Sequence, residues 1–297
     1  MAATDNRNSL AGRHLGSGLV ARRLRSGETG TALRLCPFED IDAEVISREL
    51  AAEADYCWMG LFAPDGTAAA VHRAMRWHRH LLLKGVFVDA SYRGSGAALS
   101  AAFAIRDWAR QAGYAGTLAW VEPNKPEARL ADRLRLRPGG PLLHRYLVPL
   151  PSTSNSARPE ATVPRPTAGT LAVPLGNGGA PMVQELLGVR QEHPATGTCL
   201  GWVLDRSRLV LGGNPCRSVD DLNTLLAAVE ETAVFTGATA VEIPFEAADL
   251  HAALSLAGLG ARRLSRSPVK LGVLSFEDDG ASRATVRSTA AETDRHD

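Results

Sequence analysis

From Leu81 to Val88 the chain carries a nearly continuous apolar run, and a few positions later Arg93-Gly94-Ser95-Gly96-Ala97-Ala98 hands it over to a helix. An apolar run of that length, bounded by turn residues, reads as a strand covered on both faces. Ala98, Ala102, Ile105, Ala109 and Ala112 form one helical stripe at spacings of three and four, with Arg106 and Arg110 opposite and Gly113 to close it. A strand, a glycine turn and a helix start together present a row of backbone N–H groups to an anion. The glycines allow close backbone approach, the concave N–H groups form a nest, and the helix N-terminus adds positive potential. Arg93 offers a charge-assisted contact. A diphosphate is the ligand chemistry that such a turn suits.

The surrounding patterns alternate in a readable order. Thr31 to Leu35 reads as a first strand and Asp40 to Ala54 as a helix carrying Ile41, Val45, Ile46 and Leu50. Tyr56 to Ala63 and Ala68 to Arg76 read as strands joined by the turn Pro64-Asp65-Gly66. Beyond the long helix come a strand at Thr117 to Val121, a short helix at Glu127 to Leu136 and a strand at His144 to Val148. A similar cadence follows later. Cys199 to Leu204 and Leu209 to Gly212 make a hairpin, the helix entered at Ser218-Val219-Asp220-Asp221 ends at Gly237, and Val241, Ile243 and Phe245 alternate as a strand. A helix from Ala247 to Leu256 and a last strand from Leu264 to Val273 complete it, so the element order forms a weak internal repeat.

These patterns divide the chain into a flexible lead-in (1–27), a first domain (28–150), a linker rich in Pro, Ser and Thr (151–168), a second domain (169–275) and a polar disordered tail (276–297). The expected fold class is α/β (α+β): a mixed, mostly antiparallel central sheet flanked by helices, in two domains. With 33 basic and 32 acidic residues, no global field marks a nucleic-acid binder or an anionic-membrane binder. The four cysteines form no CxxC pair, so neither a disulfide framework nor a structural zinc site is expected, and the thiols read as reduced in a cytoplasmic protein. No apolar run near the start is long enough for a signal sequence or a membrane span.

The segment Arg93 to Ala98 resembles the [Q/R]-x-x-G-x-[G/A] signature of the GNAT N-acyltransferase superfamily, and the strand before it is the family's usual one. Glu122-Pro123-Asn124, a short helix and Leu134-Arg135-Leu136-Arg137-Pro138 resemble the family's later segments. The resemblance spans about residues 30–150 and implies an acetyl-CoA or other acyl-CoA cosubstrate, with no metal. It places main-chain groups of Val86, Phe87 and Val88 against the pantetheine arm, as an added strand would lie. The amides of Arg93, Gly94, Ser95, Gly96, Ala97 and Ala98 would hold the diphosphate, and Asn124 would approach the thioester.

Leu82 and Lys84 stand where many relatives have an acid or a histidine, Ala131 stands where many have a tyrosine, and Arg135 replaces the glycine closing the short helix. Glu122 is the candidate base, with a solvent-facing turn carboxylate as its plain reading, and His80 is the other catalytic candidate. His78-Arg79-His80 could set both imidazoles on one strand face, but no third metal ligand is near in sequence. His144 and Tyr146 read as satisfied strand residues or as a replacement acid. Trp58, Trp77, Trp108 and Trp120 read as core or pocket wall.

The second domain ends on Gly258-Leu259-Gly260-Ala261-Arg262-Arg263, which also resembles a GNAT ending. Its helix entry, Gly212-Gly213-Asn214-Pro215-Cys216-Arg217, lacks the signature, and Pro215 removes an N–H, so it reads as a degenerate GNAT-like domain. The implied function is transfer of an acetyl or other short acyl group from CoA to a primary amine of a small molecule, by a monomer or homodimer. Two alternatives stay open: an aminoacyl-tRNA or carrier-protein thioester donor, the one case that would involve nucleic acid, and a non-catalytic acyl-CoA-binding scaffold.

Overall fold

The computed structural model describes residues 13–14, 18–36, 42–151, 168–173, 190–191, 198–212, 219–246, 256 and 258–276. The chain forms two compact units that are not contiguous in sequence. One is built from residues 1–119, 129–137 and 273–297, the other from 120–128 and 138–272.

The first unit is organised by antiparallel strands β2 (Val20–Arg23), β3 (Tyr56–Phe62), β4 (Ala68–Trp77) and β5 (His80–Val88), with β1 (Arg13–His14) beyond β2. Strand β6 (Gly116–Val121) then adds in parallel to β5. Helix α3 (Ala97–Gln111) makes the crossover between those parallel strands and lies on β3, β4 and β5. Its buried face is Ala97, Ala101, Ala102, Ala104 and Ala109, small side chains, together with Ile105 and Trp108. Helices α1 (Thr29–Leu35) and α2 (Ala43–Ala51) cover a core of Leu24, Leu35, Ile46, Leu50, Trp58, Phe62 and Val71. One polar cluster lies inside this unit: the Glu49 carboxylate of α2 accepts from Arg73 Nη2 (2.6 Å), Arg73 Nε (2.7 Å) and Trp58 Nε1 (2.9 Å). Each charged partner is under 5% exposed, 3% for Glu49 and 4% for Arg73.

The far end of the sequence also belongs to this unit. Phe276 N donates to the Ala115 carbonyl (2.9 Å), and the Leu274 carbonyl lies so close to Gly116 that a β-carbon there would meet its oxygen at 2.1 Å. Gly116 is therefore required for close backbone approach. In the sheet order, β15 (Lys270–Ser275) stands between β6 and β7 (Arg137–Pro138).

The second unit shows the complementary arrangement. Strand β8 (Leu143–Pro149) lies between β13 (Ala240–Glu246) and β14 (Arg262–Arg263), antiparallel to both. On the other side of β13 come β12 (Arg208–Leu211) in parallel, then β11 (Thr198–Asp205), which pairs with β10 (Arg190–Gln191) and β9 (Ala168–Val173). Helix α5 (Val219–Thr236) is the crossover from β12 to β13, and helix α4 (Pro126–Arg133) precedes β7 in the chain. The core holds Leu200, Trp202, Leu225, Val229, Val241, Ile243 and Phe245.

Several expectations are corrected. Thr31 to Leu35 is helical, part of α1, because its buried residues Ala32 and Leu35 are three apart and so share a helical face. The lead-in contains a sheet strand, since Val20–Arg23 pairs with Met59–Phe62 and Leu19 and Ala21 are buried. The last strand begins at Lys270, not Leu264: Ser265 Oγ donates to the Ser267 carbonyl in a turn, and Pro268 has no N–H to give a ladder. The blocks 28–150 and 169–275 are not the structural units, because 120–128 and 138–150 join the second and 273–276 the first. The helix expected at 247–256, most of the linker and most of the tail lie outside the described residues. Among the described residues, no helix is long and apolar enough to cross a membrane.

Candidate active site

Strand β5 changes neighbours halfway along. His80–Leu83 pairs with Gly116–Ala119 of β6, and from Lys84 onward β6 no longer runs beside it. The change coincides with a bulge. Arg73 faces Gly85 and Ala74 faces Leu83, so Lys84 is the extra residue. Leu81–Leu83 are buried, whereas Lys84–Val88 are only half-buried although they lie on an inner strand. Bulges of this kind turn a strand and end its pairing.

At the end of β5, Asp89 N donates to the Ala69 carbonyl (2.9 Å), and Asp89 Oδ1 accepts from Ser91 N (3.0 Å) and Ser91 Oγ (2.6 Å). That cap forms a single 3-10 turn, Ala90–Tyr92. The Tyr92 carbonyl accepts from Ser95 N (3.3 Å) and Ser95 Oγ (2.6 Å). Gly94 and Gly96 have φ of 80° and 84°, a left-handed conformation that favours glycine. Nothing lies within 4 Å of where their β-carbons would stand, and Arg93 through Gly96 are exposed. The first bond of α3 is Ser100 N to the Gly96 carbonyl (3.0 Å). The amides of Ala97, Ala98 and Leu99 are therefore first-turn donors with no acceptor inside the helix. This turn is an open, N–H-lined concavity at the positive end of a helix of 15 residues.

Val86, Phe87, Val88 and the six residues Arg93–Ala98 thus lie on one strand–turn–helix unit. His80 lies elsewhere. It opens β5 opposite Trp77, six residues or about 20 Å along the strand from Val86. Its neighbour His78 is in the hairpin turn with φ 50°, so the two imidazoles do not share a strand face. Among the described residues no cluster of three His, Cys, Asp or Glu is arranged for a metal.

Glu122 follows β6 directly; it is half-buried, with Oε2 shielded from solvent and without a hydrogen-bond partner. Asn124 is exposed in the turn before α4, closed by Lys125 N on the Glu122 carbonyl (3.1 Å). Both fall in the stretch 120–128 that belongs to the second unit. Leu82 and Ala131, at positions where an acid and a tyrosine were weighed, are packed side chains 1% and 7% exposed. Arg135 carries the positive φ (60°) that a glycine adopts freely. Tyr146 is a core residue meeting Phe245 edge-on at 6.1 Å, and His144 meets Tyr146 in the same way at 6.3 Å.

Beside β5 in the sheet, His72 of β4 stands opposite Val86, 3% exposed. Burial pushes its pKa down from 6.5 to about 4, against a smaller opposing effect from a hydrogen bond with the Ala101 backbone. The folded protein holds this imidazole neutral while an unfolded chain takes up a proton, so stability is lost as pH falls from 6.5 towards 4. The expected loss is about 3 kcal/mol. Urea unfolding at about pH 7 and about pH 4.5 measures it, and His72→Leu should remove much of the pH dependence. An equal pH slope in both proteins would show that His72 is not responsible.

The sheet parts beside an open glycine turn at the start of α3. Residues 24–134 match the model of the acetyltransferase (GNAT) family. Over that segment the chain is similar to the acetyltransferases of the GNAT family. Among solved structures, the chain is similar to the GCN5-related N-acetyltransferase from Sphaerobacter thermophilus, at 14% identity over 88% of this chain and 96% of that one, with a TM-score of 0.49. It is also similar to a tandem GNAT protein from the clavulanic acid biosynthesis pathway (12% identity, 86% and 98% covered, TM-score 0.45). A third is the ribosomal-protein-S18-alanine N-acetyltransferase from Escherichia coli (16% identity, 43% and 81% covered, TM-score 0.37). The curated proteins searched contain no match.

Proposed function

We propose that this chain transfers an acetyl or other short acyl group from CoA to a primary amine of a small molecule. The observation that carries the reading is the half-buried stretch Lys84–Val88, which β6 leaves and which runs straight into the exposed double-glycine turn. Within Arg93–Ala98 the amides of Arg93 and Ser95 donate to the Ala90 and Tyr92 carbonyls, and those of Gly94, Gly96, Ala97 and Ala98 hold the diphosphate, with open space at both glycines. Main-chain groups of Val86, Phe87 and Val88 pair with the pantetheine arm, and Asn124 approaches the thioester. The amine nitrogen attacks the thioester carbonyl, its proton passes to the Glu122 carboxylate, and CoA leaves as the thiolate. His80 is given no part, because it lies at the opposite end of β5.

We read the second unit as a degenerate GNAT-like domain. Its support is the parallel β12–α5–β13 crossover and the strand order that follows, which repeat the plan of the first unit. Its helix entry at 213–218 lies outside the described residues.

Titration with acetyl-CoA and release of free thiol across a panel of amines test the proposal together. Glu122→Gln should lower kcat about a hundredfold to ten-thousandfold at neutral pH while leaving the affinity for acetyl-CoA unchanged. Failure to bind acetyl-CoA would remove the whole reading. Unchanged kcat in Glu122→Gln would remove the base alone, and binding without thiol release on any amine would favour a scaffold.

A further inference from the structure

We propose that Arg34 is a positioning residue for the donor site: it ties α1 to the diphosphate turn and offsets the charge of Asp89 beside the bound anion. The inference rests on reading that turn as the site of CoA. Arg34 lies in the last turn of α1, 55 residues before Asp89, with its side chain 48% exposed. Nη1 donates to Asp89 Oδ2, and Nη2 donates to the Ala68 carbonyl of β4 at 2.8 Å. The other Asp89 oxygen is occupied by Ser91, so both oxygens of this carboxylate are committed. Asp89 is the joint between β5 and the turn, and its own amide is held by Ala69. One guanidinium therefore grips the joint and the neighbouring strand at once, fixing the direction in which the turn leaves the sheet.

The electrostatic part follows from placement. Asp89 precedes the exposed nest by four residues, and a bare carboxylate there repels a diphosphate. Arg34 supplies the compensating charge from another element. An exposed ion pair of this kind adds little to folding. Its effect on an incoming dianion is larger because that ligand carries two charges of the sign Asp89 carries.

Calorimetric titration of the full chain with CoA tests this in four proteins: wild type, Arg34→Gln, Asp89→Asn and the double variant. Arg34→Gln should weaken CoA binding about tenfold, with a larger loss at low salt and a melting temperature within a few degrees of wild type. The double variant should recover most of the affinity, because removing the carboxylate removes what Arg34 offset. Arg34→Lys, which keeps the charge, should bind within about threefold of wild type, and it carries the test should Arg34→Gln fail to fold. Wild-type affinity in Arg34→Gln, or a double variant no better than the single one, would overturn the inference while leaving the donor site standing. A wild-type chain that does not bind CoA would overturn both.

Discussion

Replacing Glu49 by alanine is expected to destabilise the first unit by about 3–5 kcal/mol. Arg73 is 4% exposed, and its Nε and Nη2 both donate to Glu49. Losing that carboxylate takes the acceptor from Arg73 Nε and Nη2 and from the Trp58 indole N–H at once. Removing one partner of a buried ion pair costs more than the intact pair contributes. The double substitution Glu49→Leu/Arg73→Met should therefore be much less harmful than Glu49→Ala alone. The damage also reaches the site, because Arg73 stands opposite Gly85, at the bulge where β5 turns away from β6. Urea midpoints for the single and double variants measure the effect; a single variant as stable as wild type would contradict the argument.

Gly96→Val is expected to reduce CoA affinity by at least about a hundredfold while lowering stability by only about 1–2 kcal/mol. The two numbers differ for a structural reason. A β-carbon at Gly96 meets no protein atom within 4 Å, so that atom creates no packing clash and the main folding cost is the strain of φ 84°. The same side chain occupies the space in front of the first-turn amides of α3, where an anion has to lie. Titration with CoA beside a melting curve separates the two effects. A valine variant that binds as wild type does would mean that the diphosphate is held elsewhere.

The strand–turn–helix from β5 to α3 was legible because it is local. Strand, glycines and helix start all fall between Gly85 and Leu99, and each responds to its neighbours in sequence. Short segments were less so. Thr31 to Leu35 alternates well enough to pass for a strand, and only its packing, with Ala32 and Leu35 inward, decides for a helix. The brace between Arg34 and Asp89 was beyond reach, since 55 residues separate a surface arginine from a turn aspartate and neither is unusual where it stands. The Asp-x-Ser pattern at Asp89 and Ser91 is the one local signal that a capped turn begins there. Strand partners were illegible for the same reason. Leu264 to Val273 reads as a last strand, but nothing in those residues says which sheet receives the strand that forms at Lys270–Ser275.

That last pairing has a consequence for biosynthesis. The segment 24–134 leaves the ribosome long before Val273–Phe276 is made, yet Leu274 and Phe276 are the residues that line the start of β6. The nascent first unit must wait with the flank of β6 uncovered while nearly the whole of the second is translated. Holding such a strand bare invites wrong partners, so yield during expression should depend on how quickly the final pieces arrive.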